Sequence, residues 1–430
     1  MSSEEAEVVL SSREARGARV LRQSLGAYLL MSLVLVPLLS PLRATGVMEP
    51  GVLRNTLLPP LLLLMIVASG PARVLTVRSV VQAVLLLAFA QAMLRGFEYG
   101  ASPDTLRHYA SHLFQLLSAY VMFGVGWQSI GKTTTAFWKR FTWLALAAAL
   151  ASTWMTLVLL GRGDVGRLYT PAYGLIFVVA YAVMESPIMM SLAFVGGLLS
   201  NKRGPIISVL SMVAAHALAS IRASARVSLG SLVRVGSVAV VGLLVTALSL
   251  WALVGWANDS SNASSSAAIA IRITTDRLTD LVHVTSATWR LDQATSGRTY
   301  EVEAALQSLN VVDYIFGAGA GWTVNVGGVK RVQNIHITPL STAAVFGLPF
   351  AVYLYLYLVT QISRGVLRKN RASLSVVEKM APLYLAGALV HSLTAYSLFI
   401  DLLVFFFAGV LHRSLRDGVS RGIDASAGRV

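Results

Sequence analysis

The residues best suited to chemistry in this chain are cations and histidines at the ends of apolar runs. Lys202 and Arg203 lie in Leu198-Leu-Ser-Asn-Lys-Arg-Gly-Pro205, between two such runs. A guanidinium beside a facing helix N-terminus makes a site for phosphate or pyrophosphate. The bland alternative is a pair of side chains snorkelling to lipid headgroups. Arg298 follows Ser296-Gly297 and leads into a helix-spaced stretch, which ends in Tyr314-Ile-Phe-Gly-Ala-Gly-Ala-Gly-Trp322. A lone loop arginine is more often solvated than functional. The glycine run has no strand before it and no Lys-Ser/Thr after it, so it lacks the context of a phosphate loop. Asn334 and His336 stand at the mouth of the next apolar run. A neutral imidazole at a membrane boundary can take a proton from a sugar hydroxyl, or simply bond headgroups.

Four further ionisable residues fall inside apolar runs: Glu185, His216, His391 and Asp401. Such groups are costly in lipid and default to functional hypotheses. His391 and Asp401 flank the turn between the last two runs, where either can orient His336 or complete its pocket. Glu185 and His216 lie away from these groups and read equally well as structural.

The elements that must position these residues are membrane helices. The 430 residues are 55% hydrophobic and 13% charged, with a mean hydropathy of +0.67. A soluble protein carries roughly a quarter charged residues. The chain has no cysteine, which excludes disulfides and thiolate metal sites. Seven scattered histidines without HExxH spacing argue against a metal site as well. A net charge of +15 invites a nucleic-acid reading. The basic residues, however, sit in short loops between apolar runs, where they set topology.

With roughly 20 residues needed per span, spans are expected near 25–42, 55–71, 77–94, 109–130, 138–160, 171–185, 187–201, 205–222 and 235–256, then 337–361, 380–396 and 398–412. The boundary between the sixth and seventh is thin, only Glu185, Ser186 and Pro187. Prolines 59, 60 and 349 are tolerable within membrane helices. The expected class is an all-α polytopic membrane protein of about 12 helices, GT-C-like, with one large extracytoplasmic helical loop. Its parts are a cytoplasmic tail (1–24), helices 1–9 (25–256), the loop (257–335), helices 10–12 (336–412) and a second cytoplasmic tail (413–430). The acidic lead-in of Glu4, Glu5 and Glu7 argues against a signal peptide. With the N-terminus inside, most of the 35 basic residues fall on the cytoplasmic side. Lys202, Arg203, Arg298 and His336 then share the outer side. Within the loop, Asn258–Ser266 reads as a linker, Ala267–Arg290 as partly amphipathic and Thr299–Val312 as a helix.

In order and context these residues resemble the O-antigen ligase and polymerase superfamily of polyprenyl-linked glycan transferases. The likeness runs from Ser200-Asn-Lys-Arg-Gly204, through Gly297-Arg298 and the Phe316-Gly-Ala-Gly319 stretch, to Asn334, His336 and Gly347-Leu348. It covers roughly residues 171–412; the first five spans match only in number and hydrophobicity. Two departures are visible. The family usually has His immediately before Asn, whereas here Asn334 precedes His336 by two, a turn of about 100° per residue on a helix. Lys202 stands where the family more often has Ser.

The resemblance implies a bacterial cytoplasmic-membrane enzyme with its active site facing outward. Arg203, Arg298 and Lys202 would hold the pyrophosphate of an undecaprenyl-pyrophosphate-linked glycan donor. His336 would be the general base on a glycan or lipid acceptor hydroxyl, and Asn334, His391 and Asp401 would support it. The reaction would be inverting and need no metal or other cofactor, and no nucleic acid would be bound. The rival from another class is a lipid-linked oligosaccharide flippase or secondary transporter. Transporters tend to show repeats and midplane charges, whereas the cations here gather at one surface beside a long loop.

Overall fold

The computed structural model describes residues 3–45, 50–97, 103–161, 172–199, 203–223, 298–326, 329–332, 337–368, 373–393 and 398–427, with a few isolated positions between them. Apart from isolated positions, the expected ninth span, the linker and the stretch 267–290 lie outside the described residues, as do Lys202, Asn334 and His336. The fold is almost entirely helical.

The first half contains α1 (Ser3–Leu30), α2 (Val36–Leu39), α3 (Pro50–Ser69), α4 (Pro71–Leu75), α5 (Val80–Gly96), α6 (Pro103–Ser129), α7 (Thr135–Gly161), α8 (Ala172–Glu185), α9 (Pro187–Leu199) and α10 (Arg203–Ala223). Next come α11 (Arg298–Gln307), α12 (Val311–Phe316) and an antiparallel pair, β1 (Val324–Val326) and β2 (Val329–Val332). The last described elements are α13 (Thr338–Phe346), α14 (Leu348–Val366), α15 (Val376–Ser392) and α16 (Leu403–Ala427).

Among the described residues, three helical stretches are long and apolar enough to cross a membrane: Ala15–Leu42, Val52–Ser69 and Gly204–Arg222. Three shorter apolar helices join them, at Val80–Gly96, Gly174–Glu185 and Ile188–Gly197. On α3, Leu58, Leu62 and Met65 are buried while Leu63, Leu64 and Val67 are exposed. An outer face that apolar belongs in lipid rather than water, and this is a membrane protein.

Several elements differ from the sequence expectation, each for a local reason. The first helix begins well inside the expected tail and buries Leu21 and Leu25. It widens into a π-turn at Met31–Leu35 just before Pro37. Pro37 has no amide for the Leu33 carbonyl and its ring crowds that turn, so the wider turn relieves the conflict. The expected span 337–361 is two helices, divided at Gly347, whose φ of 91° no ordinary helix residue adopts. Pro349 then falls in the first turn of α14, where its missing amide costs nothing. Pro59 and Pro60 lie within α3 without ending it. The thin boundary after α8 is the single residue Ser186. Its amide donates to the Ala182 carbonyl, closing α8, and its carbonyl and hydroxyl accept from the Met190 and Met189 amides, opening α9. At 14 and 13 residues, α8 and α9 are each only about 20 Å long, short of a bilayer core of about 30 Å.

The chain divides into two compact units, each described by itself. The first comprises Met1–Pro71, Ser129–Val284 and Val366–Gly387. In it α1 packs on α3 and α7, and α8 packs on α7, α9 and α10. Gly26 of α1 admits the Phe137 and Phe141 rings of α7. Buried hydroxyls in α7 return to the backbone one turn earlier, as Thr142 does to Trp138 and Thr153 to Ala149, which removes their cost in an apolar setting.

The second unit comprises Ala72–Gln128, Thr285–Gly365 and Ala388–Val430. Here α5 and α6 run antiparallel. At one end the Tyr109 hydroxyl donates to the Met93 carbonyl; at the other, Arg78 lies 6.0 Å over the Trp127 ring. Gly126 of α6 meets the Phe406 carbonyl, and Gly409 of α16 meets the Phe123 carbonyl. A side chain at either glycine would force the backbones apart, the small-residue packing typical of membrane helices. One end of this unit gathers Arg78, Arg413 and Arg416 around Trp127. The other receives the loop.

Candidate functional site

The loop end of the second unit is built around a clasp, Asn310–Trp322, which sequence reasoning reads only in part. The expected helix Thr299–Val312 stops at Gln307. A second helix starts at Asn310 because that residue makes a capping box with Asp313. The Asp313 amide donates to Asn310 Oδ1 at 2.9 Å, and the Asn310 amide to Asp313 Oδ2 at 3.1 Å. The other Asp313 oxygen takes an ion pair from Arg95 Nη2 at 2.6 Å. Arg95 Nε also donates to the Gly317 carbonyl at 3.3 Å, and Gln91 donates to the Phe316 carbonyl. The end of α5 therefore grips both the start and the finish of α12.

The glycine run follows. Gly317, Gly319 and Gly321 all have positive φ, at 76°, 95° and 91°. Its amides are spent inside the protein. Ala318 and Gly319 donate to the carbonyls of Ala344 and Val345 on α13, and Ala320 to that of Ala92 on α5. The Gly321 amide donates to His112 Nδ1 at 3.1 Å. That bond requires Nδ1 to be an acceptor, so a neutral His112 carries its proton on Nε2. A run whose amides point at carbonyls cannot also cradle a phosphate. Its glycines serve close packing, since a Cβ at Gly317 would strike the Val345 carbonyl and one at Gly319 the backbone of Arg95 and Gly96.

Of the expected site residues, Arg298 opens α11, which packs against β1 and α13. Arg203 opens α10 in the first unit. His391 is buried in the last turn of α15. Asp401 is buried too, and its Oδ1 accepts from the Leu403 amide at 3.2 Å. That carboxylate caps α16, a structural task the sequence reading did not give it. Lys202, Asn334 and His336 fall outside the described residues.

Arg95, Asp313 and His112 are the polar residues of this end that sequence reading passes over. Signals for two of them exist. Arg95, like Arg203, is a cation on the expected outer side, where the positive-inside bias does not call for one. Asn310-x-x-Asp313 is a capping box in plain view. Among the described residues, no group of three His, Asp or Glu side chains is placed to hold a metal. The chain matches no protein-family model, no curated protein and no solved structure.

Proposed function

We propose that this chain is a polytopic glycan transferase of about 12 spans with a GT-C-like arrangement. It moves a glycan from undecaprenyl pyrophosphate to an acceptor hydroxyl at the outer face of the bacterial cytoplasmic membrane, with both termini in the cytoplasm. The observation that carries the reading is the packing of α11, which begins at Arg298, against α13, which begins two residues after His336. This packing, with the clasp that ties the loop to α5, is what a site shared between the loop and the tenth span requires.

The family resemblance, rather than any observed contact, assigns Arg203, Arg298 and Lys202 to the donor pyrophosphate. The acceptor oxygen attacks the anomeric carbon from the face opposite the pyrophosphate, and the configuration inverts. As the anomeric C–O bond breaks, its electron pair leaves on the pyrophosphate. The arginines stabilise that growing charge more than the ground state. His336 takes the acceptor proton. Asn334, His391 and Asp401 support the base, Asp401 by fixing the start of α16. The loop limits water, because hydrolysis of the activated sugar competes with transfer.

The test is the leaflet on which lipid-linked glycan accumulates when the gene is deleted. A transferase leaves the donor stranded on the outer leaflet. Accumulation on the cytosolic leaflet would overturn the proposal in favour of a flippase. Glycan chain length in the same strain separates ligase from polymerase: long chains on the carrier indicate the first, single repeats on a finished anchor the second.

A further inference from the structure

The second unit also has a surface cavity of about 570 Å³, widely open to its surroundings, at its arginine-rich end, the end opposite the clasp. Val77, Val81 and the Tyr353 and Tyr357 rings make its walls, with Arg78 and His412 at its polar rim. The two tyrosine rings stack at 6.3 Å, and the Tyr357 hydroxyl bonds His412 Nδ1 at 3.0 Å. Arg364 and Arg416 lie near enough to act on the His412 ring electrostatically. The first turn of α5, capped by Ser79, opens on the same space and adds the positive end of a 17-residue helix.

Beside the cavity the surface is apolar. Val352, Leu356 and Val359 form an exposed stripe along α14, one position round from Tyr353 and Tyr357, and Val77 and Val80 are exposed at its edge. Tyrosines and arginines together are the side chains of a membrane–water boundary. A cationic rim over an apolar wall, next to an apolar outer stripe, matches an amphiphile with a phosphate at one end.

We infer that this cavity binds an anionic glycerophospholipid of the cytoplasmic leaflet. Arg78 and the start of α5 hold its phosphate, and its acyl chain lies against Tyr353, Tyr357 and the α14 stripe. The inference needs the chain to lie in a bilayer, but it does not need the transfer reaction.

The test uses the full-length protein, delipidated in detergent and titrated with phosphatidylglycerol, with phosphatidylcholine of the same chains, or with inorganic phosphate. Bound lipid is counted by native mass spectrometry. One saturable phosphatidylglycerol site is expected. Arg78→Gln should weaken it about fivefold, the equivalent of about 1 kcal/mol for one basic side chain at an anionic surface. Arg222→Gln, which removes an exposed arginine from the last turn of α10 in the other unit, should leave it unchanged. Equal binding of phosphatidylcholine, displacement by inorganic phosphate, or equal weakening by the two substitutions would each overturn the inference. So would an Arg78→Gln protein that binds as the wild type does. Arg78 is exposed, so loss of folding does not confuse the result.

Discussion

Arg95 and Asp313 meet at the end of an apolar helix, where a charge is either paired or left costly. Asp313 is almost fully buried, Arg95 about a quarter exposed, and the carboxylate also closes the capping box of α12. Removing it leaves the Asn310 cap in place but takes the acceptor from the Asn310 amide, a loss of about 1 kcal/mol, and strands a guanidinium; breaking a fully buried pair costs about 3–5 kcal/mol. Asp313→Ala should therefore lower stability by about 2–4 kcal/mol, read as thermal unfolding of the detergent-solubilised protein. Asp313→Asn keeps acceptors for the cap and should cost less. Equal losses from the two would mean that the charge contributes nothing. At the same scale, Arg298→Ala should reduce glycan transfer at unchanged expression, while Arg298→Lys retains part of it. A point charge replaces the planar fork in that variant but still attracts pyrophosphate.

Among elements, the glycine run is the one whose sequence invites the wrong chemistry. Its composition is that of an anion-binding loop, yet its amides are committed to α5, α6 and α13. Gly319→Ala meets both obstacles at once, a φ of 95° and backbone atoms of Arg95 and Gly96 where the methyl must go. It should cost about 3 kcal/mol or more and expose the loop to protease. Gly131→Ala is the control. It shares a positive φ but has nothing within 4 Å of the new Cβ, so about 1–2 kcal/mol is expected. Similar losses at the two sites would show that φ alone matters and that the clasp is not tightly packed.

The helices that sequence periodicity makes most visible are those with a long apolar run between clear breaks, such as α3 and α10. What periodicity does not show is the break inside a run. Gly347 divides an expected span because its left-handed φ ends α13, through backbone geometry rather than hydrophobicity; the boundary at Glu185-Ser186-Pro187 is legible in the sequence, and only the double role of Ser186, closing α8 and opening α9, is not. Site residues divide in the same way. Arg298 at a helix start is legible from Ser-Gly-Arg ahead of the helical spacing, and its packing partner α13 is not. Arg95 goes unnoticed because its partner, Asp313, is more than two hundred positions away in sequence.

For the whole molecule, orientation is the premise on which the proposed chemistry stands. The native chain has no cysteine, so single introduced cysteines report sidedness without background. Cysteine at Gly131, in the turn after α6, should react only from the cytoplasm, and cysteine at Ser308, in the loop, only from outside. Labelling of both from one side would break the topology. The pair α8–α9 does not disturb this count, because two crossings and a returning pair of short helices leave the next segment on the same side.

Glycan transfer itself is read with a labelled donor. Protein reconstituted with radiolabelled undecaprenyl-pyrophosphate glycan and an outer-envelope acceptor fraction is assayed for movement of label out of the lipid extract. Transfer by the wild type is expected, with a loss of about 100-fold or more in His336→Ala, the scale of a general base, and donor binding retained. Transfer at the wild-type rate by the His336→Ala protein would rule out His336 as the general base.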